Sequence, residues 1–238
     1  MNVLIVYAHP EPKSFNGAMR DLAVEALAAA GHAVAMSDLY AMGFNPVAGR
    51  DDITGEMTDP DFFSLATEQT AAYQAGRTAP DIAAEMEKLK RADLVIFQFP
   101  VWWFGMPAIL KGWVDRVFAA GGRIYGGGKW YDRGVFAGKR AMCSVTIGGG
   151  EPMYSAHGIN GPIDTILFPI NHGMLYFTGF TVIEPFLVHG PARMSDGERA
   201  AALDRYRAHV LGLATAPVIG YPKLADYDEN NVLRAARA

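Results

Sequence analysis

Cysteine is nearly missing: Cys143 is the only one in 238 residues. Its solitude excludes an internal disulfide framework and any multi-cysteine metal site. Because it stands in the strand-like run "KRAMCSVTI", it reads as core filler rather than a reactive thiol. No apolar run approaches the roughly 18 residues that a membrane span requires. The opening "MNVLIVYAHPEPK" carries neither the basic region nor the small-residue cleavage site of a signal peptide, so the chain is expected in the cytoplasm. Positive charge is also scarce. A formal net charge of −4, with no Lys/Arg-rich run, leaves no footprint for nucleic acid or an anionic membrane. Internal repeats and low-complexity tracts are lacking too. The remainder, 50% hydrophobic and 19% charged, is the balance of a folded globular chain long enough to bury a sizeable core.

What is present alternates. "NVLIVYA" (2–8) is a short continuous apolar run, as a strand buried on both faces would read. A polar loop follows, and then Met19, Leu22, Ala23, Leu27 and Ala30 recur at helical spacing up to a stop at Gly31. "HAVAMSDL" is the second strand. Residues 45 to 77 form a long polar segment with little sustained periodicity. Helical spacing returns in "PDIAAEMEKLKRA" before the apolar strand "DLVIFQF". "KRAMCSVTI" and "FTVIEPFLV" complete the strands, and "MSDGERAAALDRYRAHVLGL" makes a last helix with Ser195 as its N-cap. Strands alternating with helices predict an α/β fold. The expectation is a doubly wound, five-stranded parallel sheet of order 2-1-3-4-5 with helices on both faces. Ligands bind such sheets beyond the carboxyl ends of the strands, which directs attention to the loops after strands 1, 3 and 4.

The first loop, "HPEPKSFN" (His9 to Asn16), runs straight into a helix. A helix N-terminus offers unpaired N–H groups and partial positive charge to a phosphate, with Ser14, Asn16 and Lys13 beside it; an ordinary Ser or Asn cap accounts for the same residues. The dinucleotide pattern G-x-G-x-x-G is missing, and "GGGKW" has Trp130 where a Walker motif needs Ser or Thr. The second loop holds Trp102, Trp103 and Phe104 between a strand ending at Pro100 and a helix beginning near Pro107. That helix shows Ile109, Leu110, Trp113, Val114, Val117 and Phe118 on one face and Lys111, Asp115 and Arg116 on the other. Trp113 and Phe118 are therefore core residues. Three successive rings at 102–104 cannot all face the core, so they are expected to wall a flat ligand, with a hydrophobic corner or dimer contact as the alternative. The third loop, "TIGGGEPMYSAHGINGP", has glycines at 148–150 that admit close backbone approach, with Met153 and Tyr154 as an apolar wall carrying one hydroxyl.

"YAHPEPKSFNGAM", "ADLVIFQFPVWWFGMPAILKGWVDRVF", "TIGGGEPMYSAHGINGPID" and "YFTGFTVIEP", in that order, resemble the NAD(P)H:quinone oxidoreductase (DT-diaphorase) family of flavodoxin-like proteins, from about residue 2 to about residue 200. The resemblance implies a homodimer with active sites at the interface and FAD, rather than FMN, as the bound flavin. It implies ping-pong hydride transfer from NAD(P)H through the flavin N5 to a quinone. Carried over by position, it puts His9, Ser14, Phe15 and Asn16 on the pyrophosphate side. Val101, Trp102, Trp103 and Phe104, with Thr146, Ile147, Gly148 and Gly149, would border the ring system. Arg199 falls on the adenine side. Tyr154 would stand near the N1–O2 edge, and Tyr154, Asn160, Gly148 and Gly149 make up the implied catalytic set. The acceptor would lie between Trp103, Phe104, Met153, Tyr154 and Asn160, with Tyr125 and Phe177 reaching across from the second subunit. It assigns residues 1–213 to the catalytic domain and 214–238 to a short extension packed on that domain or on the dimer partner.

Two departures stand out. Asn160 occupies the position where well-known members pair a histidine with the tyrosine, and it cannot take or give a proton near neutral pH; His157, three residues earlier, is the available substitute. The stretch "GGRIYGGGKWYDRG" carries Tyr125 followed by three glycines (126–128) where the family often has two tyrosines, which predicts a wider pocket mouth. A tail without cysteine predicts no zinc site. Three other readings compete: an azo- or nitro-reductase of the same architecture, separable by steady-state rates with each acceptor; a flavin-binding regulatory subunit of a partner such as an ion-efflux system, which a co-purifying membrane partner would reveal; and a one-electron carrier. The last is disfavoured by the mild net charge and the long loops.

Overall fold

The computed structural model describes residues 1–121 and 124–234; residues 122–123 of the glycine-rich stretch and 235–238 of the tail lie outside them. Five parallel strands, β1 (Asn2–Tyr7), β2 (Ala33–Asp38), β3 (Leu94–Pro100), β4 (Arg140–Ile147) and β5 (Thr181–His189), form one sheet in the order β2-β1-β3-β4-β5. This is the order the strand–helix alternation predicts. All seven residues of β3 are buried, because a central parallel strand has helices on both its faces.

Successive side chains of a strand point to opposite faces, and the core divides accordingly. Val3, Ile5 and Tyr7 of β1 pack under Met19, Ala23 and Leu27 of α1 (Phe15–Ala29) and Ala202, Tyr206 and Val210 of α6 (Asp196–Leu211). Leu4 and Val6 face the opposite way. There they meet α3 (Pro80–Arg91), α4 (Ala108–Val117) and α5 (Ile163–Ile170) through Ile82, Met86, Leu110, Trp113 and Leu167. Cys143 belongs to this second layer, where complete burial pushes its thiol up to about 12 and keeps it inert.

Two features depart from the sequence expectations, and a third lies where the sequence raised none. The polar segment 45–77 contains a helix, α2 (Leu65–Gln74), whose buried positions include Glu68 and Gln69. Arg116, expected on the solvent face of α4, is buried. Its guanidinium donates to Asp52 at 2.7 Å and to Asp81 at 2.8 Å, and this pairing is what permits a buried cation. A single π-helical turn, Asn171–Tyr176, continues α5 past Pro169. Beyond α6 the tail returns to the sheet: Val218 forms an antiparallel bridge to Ile183 on the outer strand, and Pro222 accepts from the Tyr176 hydroxyl at 2.7 Å. Among the described residues no helix is long and apolar enough to cross a membrane.

Candidate active site

The carboxyl ends of β1, β3, β4 and β5 open onto a cavity of about 490 Å³. From the first loop it is lined by His9, Ser14, Phe15 and Asn16; from the second by Pro100, Val101 and Trp102; from β4 by Thr146, Ile147 and Gly148; and from the far side by Gly190, Pro191, Ala192 and Arg199. Ten residues singled out in the sequence thus meet in one space. The Gly190–Ala192 wall was missed. "HGPAR" closes the fifth strand just as the other loops close theirs, so the strand-end rule extended to β5 would have found it.

The first loop is built to deliver a helix N-terminus. Ser14 caps α1, its Oγ accepting from the Gly17 N–H at 3.1 Å, which leaves the N–H groups of Phe15 and Asn16 without intrahelical carbonyls. Gly17 is required because a Cβ there would lie 1.9 Å from the Pro12 carbonyl oxygen. His9 Nδ1 is held by the Glu11 backbone, 3.0 Å from its N–H and 3.1 Å from its carbonyl oxygen, which fixes the ring's orientation. Its ring stands 6.2 Å from that of Trp102. The Asn16 side chain donates to Thr146 Oγ1 at 2.7 Å, while its Oδ1 is buried with no partner among the described residues. An orphaned buried acceptor beside a cavity marks a polar demand that the protein itself does not meet.

The second loop holds an unusual backbone. Trp102 and Gly105 exchange both hydrogen bonds, at 3.1 and 3.0 Å, closing a two-residue turn over Trp103 and Phe104. Both central residues have positive φ, 50° and 59°. Such turns belong to Asn-Gly pairs, and for bulky side chains the left-handed conformation costs roughly 1–2 kcal/mol each. Packing among the described residues repays little of this, since Trp103 is 98% exposed and Phe104 52%. Trp102 is 40% exposed, so none of the three rings is a core residue.

In the third loop Gly148 lines the cavity, and a Cβ built on it would meet nothing of the protein. Gly149 is different: a Cβ there would lie 2.7 Å from Tyr154 Cε2, so its bareness lets the tyrosine ring settle on the backbone. Tyr154 ends a 3₁₀ turn, Glu151–Tyr154, whose Met153 carbonyl accepts from the Asn160 N–H at 2.9 Å and so folds Asn160 back onto the turn. His157, the substitute considered for the missing histidine, is exposed. The imidazole beside Tyr154 is instead His189, at the end of β5, with ring centroids 5.8 Å apart. Its Nδ1 is buried, and burial holds the ring below its usual pKa against the opposing pull of Glu151 and the Gly149 backbone, so the neutral form is favoured. No feature of the sequence pointed to it, because the contact exists only once β4 and β5 are paired.

Trp103, Phe104, Gly149, Met153, Tyr154 and Asn160 stand outside the cavity's lining. Tyr125 and Phe177 lie elsewhere, packed on one another 6.2 Å apart against a separate cleft with Phe118 and Met174. No cluster of three or more potential metal ligands occurs among the described residues.

Comparison with known proteins identifies the arrangement. Residues 1–210 match the family model described as the flavodoxin-like fold. The chain is 52% identical over 187 residues to NAD(P)H dehydrogenase (quinone) 1 of Cavia porcellus, covering 79% of this chain and 68% of that one. It is 48% identical over 197 residues to the ribosyldihydronicotinamide dehydrogenase (quinone) of Homo sapiens, covering 83% and 85%. A solved structure from Klebsiella pneumoniae, itself only assigned as a quinone reductase, superposes with a TM-score of 0.95 at 43% identity over 98% of this chain and 94% of that one. The chain therefore belongs to the NAD(P)H:quinone oxidoreductase family of flavodoxin-like proteins.

Proposed function

We propose that this chain is a cytoplasmic, FAD-dependent NAD(P)H:quinone reductase that works as a homodimer. The observation that carries the reading is the Trp103–Phe104 turn: two large rings held in a strained conformation and exposed, beside a cavity floored by a helix N-terminus. Strain of that kind persists where a ligand or a partner repays it. The residues fit a flavin dinucleotide. The first turn of α1 suits a phosphate, the open Gly148 leaves room against the backbone, Arg199 offers a cation at the far end, and the unsatisfied Asn16 Oδ1 calls for a donor. When bound, the flavin supplies the hydride chemistry, receiving from NAD(P)H and delivering to a quinone.

The chain's own residues bind and orient. Phe15 and Asn16 N–H groups hold phosphate; Val101, Trp102 and Thr146 to Gly149 confine the ring system. The Tyr154 hydroxyl, seated on Gly149 and backed by His189, donates to negative charge developing at the ring's polar edge, with Asn160 as a second donor. Trp103, Phe104 and Met153 form the wall against which donor and acceptor stack in turn. Tyr125 and Phe177, remote from the cavity of their own subunit, serve the partner's. The exposure of Trp103, Phe104 and Trp130 supports such a covering surface. Residues 1–213 form the catalytic unit and 214–238 its extension.

The test is the visible spectrum of the purified protein, followed by chromatography of the flavin released on denaturation and by NAD(P)H–quinone kinetics. FAD near one per chain with quinone turnover is the expected result. FMN would overturn the adenine-side assignment of Arg199, and a protein that refuses added flavin would overturn the reading altogether.

A further inference from the structure

The polar groups of the site continue behind its wall. Gln98 sits in the middle of β3, fully buried, where a leucine would pack without any desolvation cost. Its Nε2 donates to the backbone carbonyl of Asn16 at 2.5 Å, and its Oε1 accepts from the Tyr206 hydroxyl at 3.2 Å. Tyr206 comes from α6 and is fully buried as well. Asn16 then bonds Thr146 of β4 through its side chain. A hydrogen-bonded path therefore runs from α6 through β3 to the first turn of α1 and on to β4, and none of its four residues is more than 4% exposed.

Stability alone does not account for this path. Replacing both partners of a buried hydrogen bond by apolar groups of the same shape is close to neutral, so the polar groups have another use, namely fixed placement. The residue they fix, Asn16, lines the cavity and lies in the first turn of α1, where its N–H has no intrahelical carbonyl. Moreover, Arg199 and Tyr206 are two turns apart on one helix and so share a face. One rigid element thus sets both the far end of the cavity and the depth of the α1 terminus.

We propose that Tyr206 and Gln98 are positioning residues for the phosphate end of the flavin site, holding the first turn of α1 at the depth where it meets the phosphate. The inference rests on the flavin reading above and goes beyond it in naming two residues that touch no ligand. It is tested by fluorescence-quenching titration of the full chain, freed of bound flavin, with riboflavin, FMN and FAD. Wild type is compared with Tyr206→Phe, which removes one oxygen, and Gln98→Met, which keeps the volume. Circular dichroism establishes that both variants are folded.

In both variants Kd for FMN and FAD rises about five- to tenfold, the value of one or two hydrogen bonds, while Kd for riboflavin, which has no phosphate, stays within about twofold. An equal loss for all three flavins would show mere loosening of the fold and overturn the proposal. So would variants indistinguishable from wild type, which leave the flavin reading standing. A wild-type protein that binds none of the three removes both.

Discussion

The Tyr154 ring rests beside His189, with centroids 5.8 Å apart and planes inclined at 47°. Because burial favours the neutral imidazole, the fold resists a proton that the unfolded chain accepts near its ordinary value of about 6.5. As the pH falls through that value the unfolded state binds more protons, and stability declines; above it the contribution is intact. His172 and His209, both lowered by burial, act in the same sense. Thermal melts between about pH 7.5 and 5.5 are expected to show the decline, and His189→Phe, which keeps a ring against Tyr154, is expected to make it shallower while the parts due to His172 and His209 remain. An unchanged slope would mean that His189 takes up its proton as readily in the fold as outside it.

Gly149 supplies a second prediction. A methyl group there would fall 2.7 Å from Tyr154 Cε2, so Gly149→Ala must push the tyrosine off its seat. The expected cost is about 1–3 kcal/mol of stability, with a fall in kcat larger than that of Tyr154→Phe, because the whole ring moves and not only its hydroxyl. Gly149→Ala turning over like wild type would remove Tyr154 from the proposed machinery.

Replacing Trp103-Phe104 by Asn-Gly suits the turn's backbone better than the natural residues do. The double variant is expected to melt higher, by the equivalent of roughly 1–3 kcal/mol, and to lose most quinone reduction. Stability and activity would then move in opposite directions. Retained activity would show that the rings serve no ligand.

Arg199 is held by three acceptors: the carbonyls of Pro191 and Met194 at 3.4 and 2.6 Å and Asp196 Oδ1 at 2.5 Å. It is thus pinned to the loop that closes the cavity. Arg199→Ala is expected to weaken FAD about tenfold or more and FMN by less than about threefold, a difference that equilibrium dialysis with each flavin would measure. Equal losses would place the adenine elsewhere.

The strands were legible because parallel strands buried on both faces must be largely apolar, and "VLIVYA" and "LVIFQF" are, with Gln98 the one polar side chain among them. The helix α2 was not, because its buried face is polar. Glu68 accepts from the N–H groups of Thr58 and Asp59, and the Gln69 carbonyl oxygen accepts from Ala120 N–H, so no apolar period betrays the burial. Pro169 and the wide turn after it similarly break the 3.6-residue rhythm through 163–176. Arg116 looked like a surface residue because its partner Asp52 is 64 positions away. The cavity-lining residues were visible as loop chemistry at strand ends, whereas His189, Gln98 and Tyr206 act through contacts that only the assembled sheet creates.

The bridge between Val218 and Ile183 has a consequence for solubility. The outermost strand of an open sheet presents unpaired N–H and C=O groups to any extended chain that passes, and nature blunts such edges by covering them. Here the cover is the tail itself: Glu184 N–H donates to the Pro217 carbonyl at 3.1 Å and Ile219 N–H to that of Val182 at 2.8 Å. Cutting the chain after residue 213 would bare that edge, and the shortened protein would be drawn toward strand-to-strand self-association even with its sheet and cavity intact.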